Sequence, residues 1–408
     1  MGSHNPCDST GALSLGRKVS ESDTFAASVN SIAESRGWWK ETSNQINAEL
    51  LLRFHGNTIT TMSSPTGQSI ILSKVTQHFH TYPFLLHAVL AITAAHLTGL
   101  GYRGGNFAAI AFHHTQQALK LYSERLRRVK DLTEMDAIVA ACFMLTAIFY
   151  FSHDEFNATE SWIFCNPDTP GKPNWSRVLS GPALLLQSSE FRDNVHESSW
   201  LPFVRETQEL LRQATTRAGP GDHLVTMLRD LISESHGDNN NVHFEGTTQK
   251  NPYLPILDAL APVLRAHFDP GTLTFGPCVD VAHFVSLISF PSRLDNVFIG
   301  RLSERDNIAL LLVGFWFALL SKLQHCRWWC LRRALTEGKA ICLLLRHCAI
   351  SKVEVQRSGF YTCANILLLD LQNKFTPNNL GGQLLCLFYA NSERVISLVR
   401  LKVHRETH

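Results

Sequence analysis

The chain lacks an excess of charge of either sign. Its 37 Lys and Arg balance 35 Asp and Glu, for a net charge of +2. That leaves no broad positive field of the kind that holds nucleic acid without sequence specificity. It also lacks an uninterrupted apolar run of membrane-spanning length. Ala137 to Phe151 spans 15 residues with Thr146 inside, and Ile308 to Leu320 spans 13 between Asp306 and Lys322. A spanning helix needs about 20. Both runs read as buried core helices, and no membrane partner is expected. The N-terminal stretch has no apolar h-region, so no secretory signal is expected. Glycine and proline, at 24 and 16 residues, are not enriched, which excludes a fibrous or low-complexity chain.

The usual chemical motifs are missing as well. HExxH, GxSxG, a Walker loop and DxDxDG do not occur. Gly99-Leu-Gly101-Tyr-Arg-Gly104 fits GxGxxG, but a helical pattern precedes it where dinucleotide binding requires a strand. His153-Asp-Glu155 with Pro277-Cys278 matches half of a zinc-deaminase signature, yet Val281 stands where the second thiolate is due. The pairs Cys326/Cys330 and Cys342/Cys348 miss the spacing of a tetrahedral site. His113-His114 has no acidic or thiolate neighbours at ligand spacing. No metal and no cofactor are therefore expected. Ten cysteines are present, and Cys142, Cys342, Cys363 and Cys386 fall inside apolar helical patterns. They read as reduced, buried thiols of a cytoplasmic or nuclear protein.

What is there is apolar material at helical period. Of 408 residues, 45% are hydrophobic, enough for one large core or two subdomains sharing one. Helices are expected over 48–62, 68–79, 83–98, 107–129 and 134–151, the last with Thr133 as N-cap. Further helices are expected over 178–187, 206–217, 222–235, 254–268, 279–290, 292–302, 304–326, 332–349, 354–374 and 380–403. No strand alternation and no repeat is visible. The fold class is all-α: a multi-helix globular domain with an internal hydrophobic pocket. Residues 1–43 read as a flexible tail. Residues 44–350 form the domain, with a polar loop insert at 236–252 and an irregular loop at 165–177. Residues 351–408 read as a C-terminal helical extension. Its apolar stripe, including Leu384, Phe388, Val395 and Val399, is expected to dock on the core or on a second copy of the chain.

Candidate site residues follow from burial. The Pro83 to Leu97 segment is apolar nearly all round, so its His87 and His96 must find partners inside the protein. They either bond neighbouring helices or meet a polar ligand atom. Phe143, Tyr150, Phe315, Trp316, Trp328 and Trp329 are either plain core or the walls of an apolar pocket. Arg327, Arg332 and Arg333, beside the tryptophans, are either a solvated basic face or a hold for an anionic oxygen.

Three segments resemble the regulatory, ligand-binding domain of fungal zinc-cluster transcription factors, especially the sterol-uptake-regulator type. The most specific is HTYPFLLHAVLAITAAHL from His80 to Leu97, followed by Ala108 to Leu126 with His113, Ala118-Leu119 and Tyr122. The second is Trp175 to Ala183. The third runs from Phe290-Pro291 through Phe298 to Leu302, Arg305 to Leu310 and Phe315 to Leu320, to Trp328-Trp329. Together they cover roughly residues 45–350. The family reads DNA through six cysteines packed into a short stretch, whereas here only Cys7 precedes Cys142. Direct nucleic-acid binding of that type is not expected.

Two functions fit. The resemblance implies a regulator or co-regulator that binds a small hydrophobic metabolite and acts, in the nucleus, through protein contacts. The other, which a less specific resemblance to fungal hetero-Diels–Alderases implies, is a cytoplasmic, cofactor-independent secondary-metabolite enzyme, a pericyclase joining a quinone-methide-type polyketide intermediate to a terpene. Such a reaction needs proximity, worth ~7–11 kcal/mol, and no metal or nucleophile. For it His87, His96, Tyr150 and Arg327 are the candidate catalytic donors. Phe143, Phe315, Trp316, Trp328 and Trp329 are the candidate substrate walls. Sequence alone tilts toward the enzyme, because a pocket is the asset left when the zinc cluster is subtracted.

Overall fold

A computed structural model describes residues 42–102, 106–129, 131–151, 196–215, 219–237, 251–324, 327–351 and 358–372, with isolated positions at 27, 29–31, 34, 161, 185, 188 and 193. The helices expected over 178–187 and 380–403 lie outside them, apart from residue 185. So do most of the 1–43 tail, the loop at 165–177 and the 238–250 part of the insert.

Thirteen helices are named here. They are α1 (Thr42–Arg53), α2 (Pro65–His78), α3 (Pro83–Gly99), α4 (Phe107–Leu126), α5 (Leu132–Phe151), α6 (Leu201–Thr215), α7 (Asp222–Gly237) and α8 (Leu254–His267). After the two-residue strands β1 (Phe268–Asp269) and β2 (Thr274–Phe275) come α9 (Val281–Ser289), α10 (Asn296–Ser303), α11 (Asn307–Leu320), α12 (Arg327–Ser351) and α13 (Ser358–Gln372). The all-α expectation holds. The antiparallel β1–β2 pair, Phe268 opposite Phe275, is the only sheet among the described residues.

Side chains start these helices where the sequence places a small acid or hydroxyl. Ser64 accepts the Gly67 N–H with Pro65 at the first helical position of α2. Asp280, Asp295 and Asp306 cap α9, α10 and α11 by accepting N–H groups of Ala282, Phe298 and Ile308. Each such cap contributes about 1 kcal/mol. The cap of α5 is Asp131, not Thr133: its Oδ1 accepts the Glu134 N–H at 2.8 Å. The helix expected over 48–62 is also corrected. Phe54–Thr58 forms a π turn and Ile59–Thr61 a 3-10 turn. Gly56 and the β-branched run Thr58 to Thr61 are poor helix formers, so packing decides the backbone there.

Helix α3 runs through the middle, buried from Phe84 to Leu97 except at His87, and packs on α1, α4, α5 and α12. Helix α11 is buried from Ile308 to Leu320 and packs on α8, α12 and α13. Gly314 permits the closest part of that packing, since a Cβ there would lie 2.5 Å from Leu367. Helix α13 thereby joins the core: Asp370, fully buried, accepts the Phe275 N–H at 2.7 Å and pairs with Lys322 at 2.6 Å.

Among the described residues, α5 is long and apolar enough to cross a membrane by length and composition. It begins five residues earlier than the 137–151 run suggested. It lies inside the fold against α2, α3, α4 and α12. Its two buried acids are paired within the protein, Asp136 with Lys74 at 3.3 Å and Glu134 with Arg125 at 3.3 Å.

Candidate functional site: an apolar cavity between α5, α6 and α9

A cavity of about 140 Å³ lies where α5, α6, α9 and the start of α12 converge. Phe143, Thr146 and Ala147 form the α5 wall; Phe203 and Thr207 come from α6. Phe284, Val285, Ile288 and Ser289 of α9 face them, with Ser292, Met62, Ser63 and Trp329 closing the ends. No ionisable side chain lines it among the described residues. A dry apolar cavity of roughly 150 Å³ holds a benzene-sized ring. Typical ligand pockets are larger, about 300–1,000 Å³.

The walls are held from outside. Asp136 accepts hydrogen bonds from Ser198 Oγ at 2.9 Å and Ser199 Oγ at 2.7 Å, and its backbone carbonyl accepts Trp200 Nε1–H at 3.2 Å. Trp200 stacks on Phe143 with centroids 5.3 Å apart, and Phe203 meets Phe143 edge-on at 5.4 Å. Glu206 accepts Ser64 Oγ–H and Thr66 Oγ1–H at the N-terminus of α2, where a carboxylate also suits the helix dipole. That clasp orients the next residue, Thr207. Its Oγ1 is buried without a hydrogen-bond partner among the described residues. Leaving a buried hydroxyl unbonded costs about 1–3 kcal/mol, and a ligand oxygen in the cavity would remove that cost.

Of the residues expected from sequence, Phe143 and Trp329 line the cavity. Trp328 lies beside it: its Nε1–H donates to Thr61 Oγ1 at 2.8 Å, and its ring covers His96 at 4.6 Å. Phe315 and Trp316 are wholly enclosed in the core, with Trp316 Nε1–H donating to the Leu287 carbonyl at 2.8 Å. Tyr150 is buried edge-on to Trp329. His96 Nδ1 meets Thr58 Oγ1 at 3.0 Å, and burial lowers its pKa to about 4. His87 Nδ1 lies 2.8 Å from His114 Nδ1, and burial lowers the latter's pKa to about 4, with His87 and His113 adding to the shift. None of these three histidine and tyrosine candidates lines the cavity. The Arg327 side chain lies outside the described residues. Arg332 is exposed, while Arg333 is buried and donates to the Tyr150 and Phe149 carbonyls, closing the C-terminal end of α5.

Sequence reasoning missed Thr207, Phe284, Ile288 and Ser289. Phe284 and Ile288 carry an i, i+4 signal on an apolar helix, but nothing local says which face meets a cavity. It also missed a group next to the α9 wall. One ligand-type atom each of His267, Cys278 and His283 lie within 4.8 Å of one another. His267 Nε2 and His283 Nδ1 are 3.0 Å apart. Burial lowers the His267 pKa to about 4, helped by His283, and raises that of Cys278 to about 12.

Residues 50–237 match the family of the fungal specific transcription factor domain. The match supports the regulatory-domain resemblance carried by His80 to Leu97. It runs from within α1 to the end of α7 and covers somewhat under half of the 408 residues. The matched segment contributes α5, α6, Met62 and Ser63 to the cavity; α9, Ser292 and Trp329 lie beyond it. No curated protein and no solved structure matches the chain.

Proposed function

We propose that the protein is a regulatory domain that responds to a compact hydrophobic molecule bearing one polar atom. The observation that carries this reading is an apolar cavity whose α5 and α6 walls come from the matched segment and whose lining includes Thr207, a residue with a buried hydroxyl that has no partner among the described residues. A bound ligand would bridge α5 and α6 to α9. Differential affinity for two arrangements of those helices is the free energy such a switch needs.

The experiment has two arms. Phenol and toluene, equal in size, are titrated into the protein by calorimetry. Phenol is expected to bind more tightly, and Ala147→Leu, which fills the cavity, to abolish binding of both. Equal binding of the two probes, or binding unchanged by Ala147→Leu, refutes the site. The chain is then fused to a heterologous DNA-binding module in a reporter strain. Loss of reporter response in Ala147→Leu is expected, and a reporter indifferent to that substitution refutes the regulatory reading.

A second reading is the cofactor-independent hetero-Diels–Alderase. The absence of ionisable groups from the described cavity wall favours it, since a cycloaddition needs packing and orientation rather than proton transfer. The volume of about 140 Å³ weighs against it, because two substrates need more room. Turnover of a quinone methide precursor with a sesquiterpene, lost in Ala147→Leu, is its test.

A further inference from the structure

The end of α8, the segment after β2 and the first turn of α9 bring two imidazoles and a thiol together. We infer that His267, Cys278 and His283 form a binding site for a borderline-soft divalent metal ion, zinc being the natural probe. The inference is independent of the proposed function.

Geometry carries it. Zinc bonds nitrogen at about 2.0–2.1 Å and thiolate sulfur at about 2.3 Å, so tetrahedral ligands lie about 3.3–3.6 Å apart. Here the two ring nitrogens are 3.0 Å apart and all three ligand atoms fall within 4.8 Å. Shifts of about an ångström or less would complete the cage. Cys278 is fully buried and His283 nearly so, while His267 is half-buried and gives the ion a way in. His267 also hydrogen-bonds the Pro277 carbonyl. With Nε2 turned to His283, that bond falls to Nδ1, fixing the tautomer that leaves Nε2 free to ligate, as metal-bound histidines are usually held.

The chemistry agrees. Both imidazoles must be neutral to ligate, and burial keeps His267 so. The proton now between the two rings moves to a distal ring nitrogen, with no net loss. The Cys278 thiol is neutral without metal; binding replaces S–H by a metal–sulfur bond and releases one proton. Asp280 acts electrostatically on both His267 and Cys278 and would balance the remaining charge. Its Oδ1 also accepts the Ala282 N–H at 2.7 Å, capping α9. Two nitrogens and one thiolate suit zinc or copper rather than magnesium or calcium. An ion here would clamp α8 to α9 directly before Phe284 and Val285, so it would also set the position of a cavity wall.

The test is made on the full chain after chelation. One equivalent of Co(II) added to the metal-free chain is expected to release about one proton and to give tetrahedral visible bands and a thiolate-to-cobalt charge-transfer band, all of which one equivalent of Zn(II) then abolishes with no further proton release. The charge-transfer band should vanish in Cys278→Ser and persist in Cys330→Ser, the neighbouring thiol. Absence of these bands in the wild type, or their survival in both Cys278→Ser and His283→Asn, overturns the site. X-ray absorption on the wild-type zinc complex covers the case of variants that do not fold. One sulfur and two imidazoles are expected; a shell with no sulfur, or with two or more, overturns it.

Discussion

His96 and Thr58 meet in the core, Nδ1 to Oγ1 at 3.0 Å, with the π turn at Phe54–Thr58 bringing the threonine to the central helix. The Trp328 ring lies against the same imidazole. Their environment keeps His96 neutral, and His114, against His87 and Asn47, is held the same way.

This gives a pH dependence with a definite sign. Both histidines have pKa values near 4 in the folded state, against an ordinary 6.5. The unfolded chain therefore binds more protons between those values, so stability rises with pH through that window. The contribution is fully present above pH 6.5 and lost as pH falls toward 4. Thermal melts should show a falling midpoint across this range, and His96→Gln should flatten the dependence. A midpoint that does not change between pH 7 and pH 4.5 would refute it.

Gly314→Ala should destabilise despite removing a helix-interior glycine. Alanine gains about 1 kcal/mol of helix propensity. Its Cβ would sit 2.5 Å from Leu367 Cδ2 and 3.2 Å from Ile341 Cγ2. Overpacking of that kind costs about 1–3 kcal/mol. Urea denaturation should show a net loss, partly recovered in Gly314→Ala with Leu367→Ala.

Asp136→Ala should be among the most damaging substitutions. It removes the partner of Lys74, which is largely buried, and the acceptor for Ser198 and Ser199. Breaking such a buried pair from one side costs about 3–5 kcal/mol. Lys74→Met added to Asp136→Ala should recover part of it in the same denaturation assay.

Thr207→Val keeps the shape and deletes the unpartnered hydroxyl. The empty protein should gain about 1 kcal/mol, while its preference for phenol over toluene should disappear. Calorimetry and melting of the single variant measure both.

Helices α2, α3, α9, α10 and α11 begin within a few residues of the reading from sequence; all but α3 carry a capping acid or hydroxyl, and α3 starts at Pro83. Boundaries failed where two local signals competed, as at Thr133 against Asp131. The π turn was not legible because Gly56 and Thr58 to Thr61 carry little local helix preference, and the packing that decides there includes a residue 38 positions away, His96 on Thr58. At the site, Phe143 and Trp329 were picked out as large aromatics near the centre, but so were Phe315 and Trp316, which are packed solid. Aromatic content at helical spacing does not distinguish a filled wall from an open one.

The pairing of His267 with Cys278 and His283 shows the same limit. Ligand spacing was sought within short motifs, whereas these three arrive by a helix end, the segment after β2 and a helix start.

By itself the sequence determined that the chain folds as packed helices, because 3.6-residue periodicity and side-chain caps act within a few residues of each other. It also carried the regulatory-domain resemblance in three segments, most specifically in one central helix. Only the tertiary structure decided which apolar faces leave a cavity, that Thr207 in its lining has no hydroxyl partner among the described residues, and that no ionisable group in its described wall accompanies it. Those facts depend on how helices far apart in the chain close against one another, and no local pattern encodes the volume left between them.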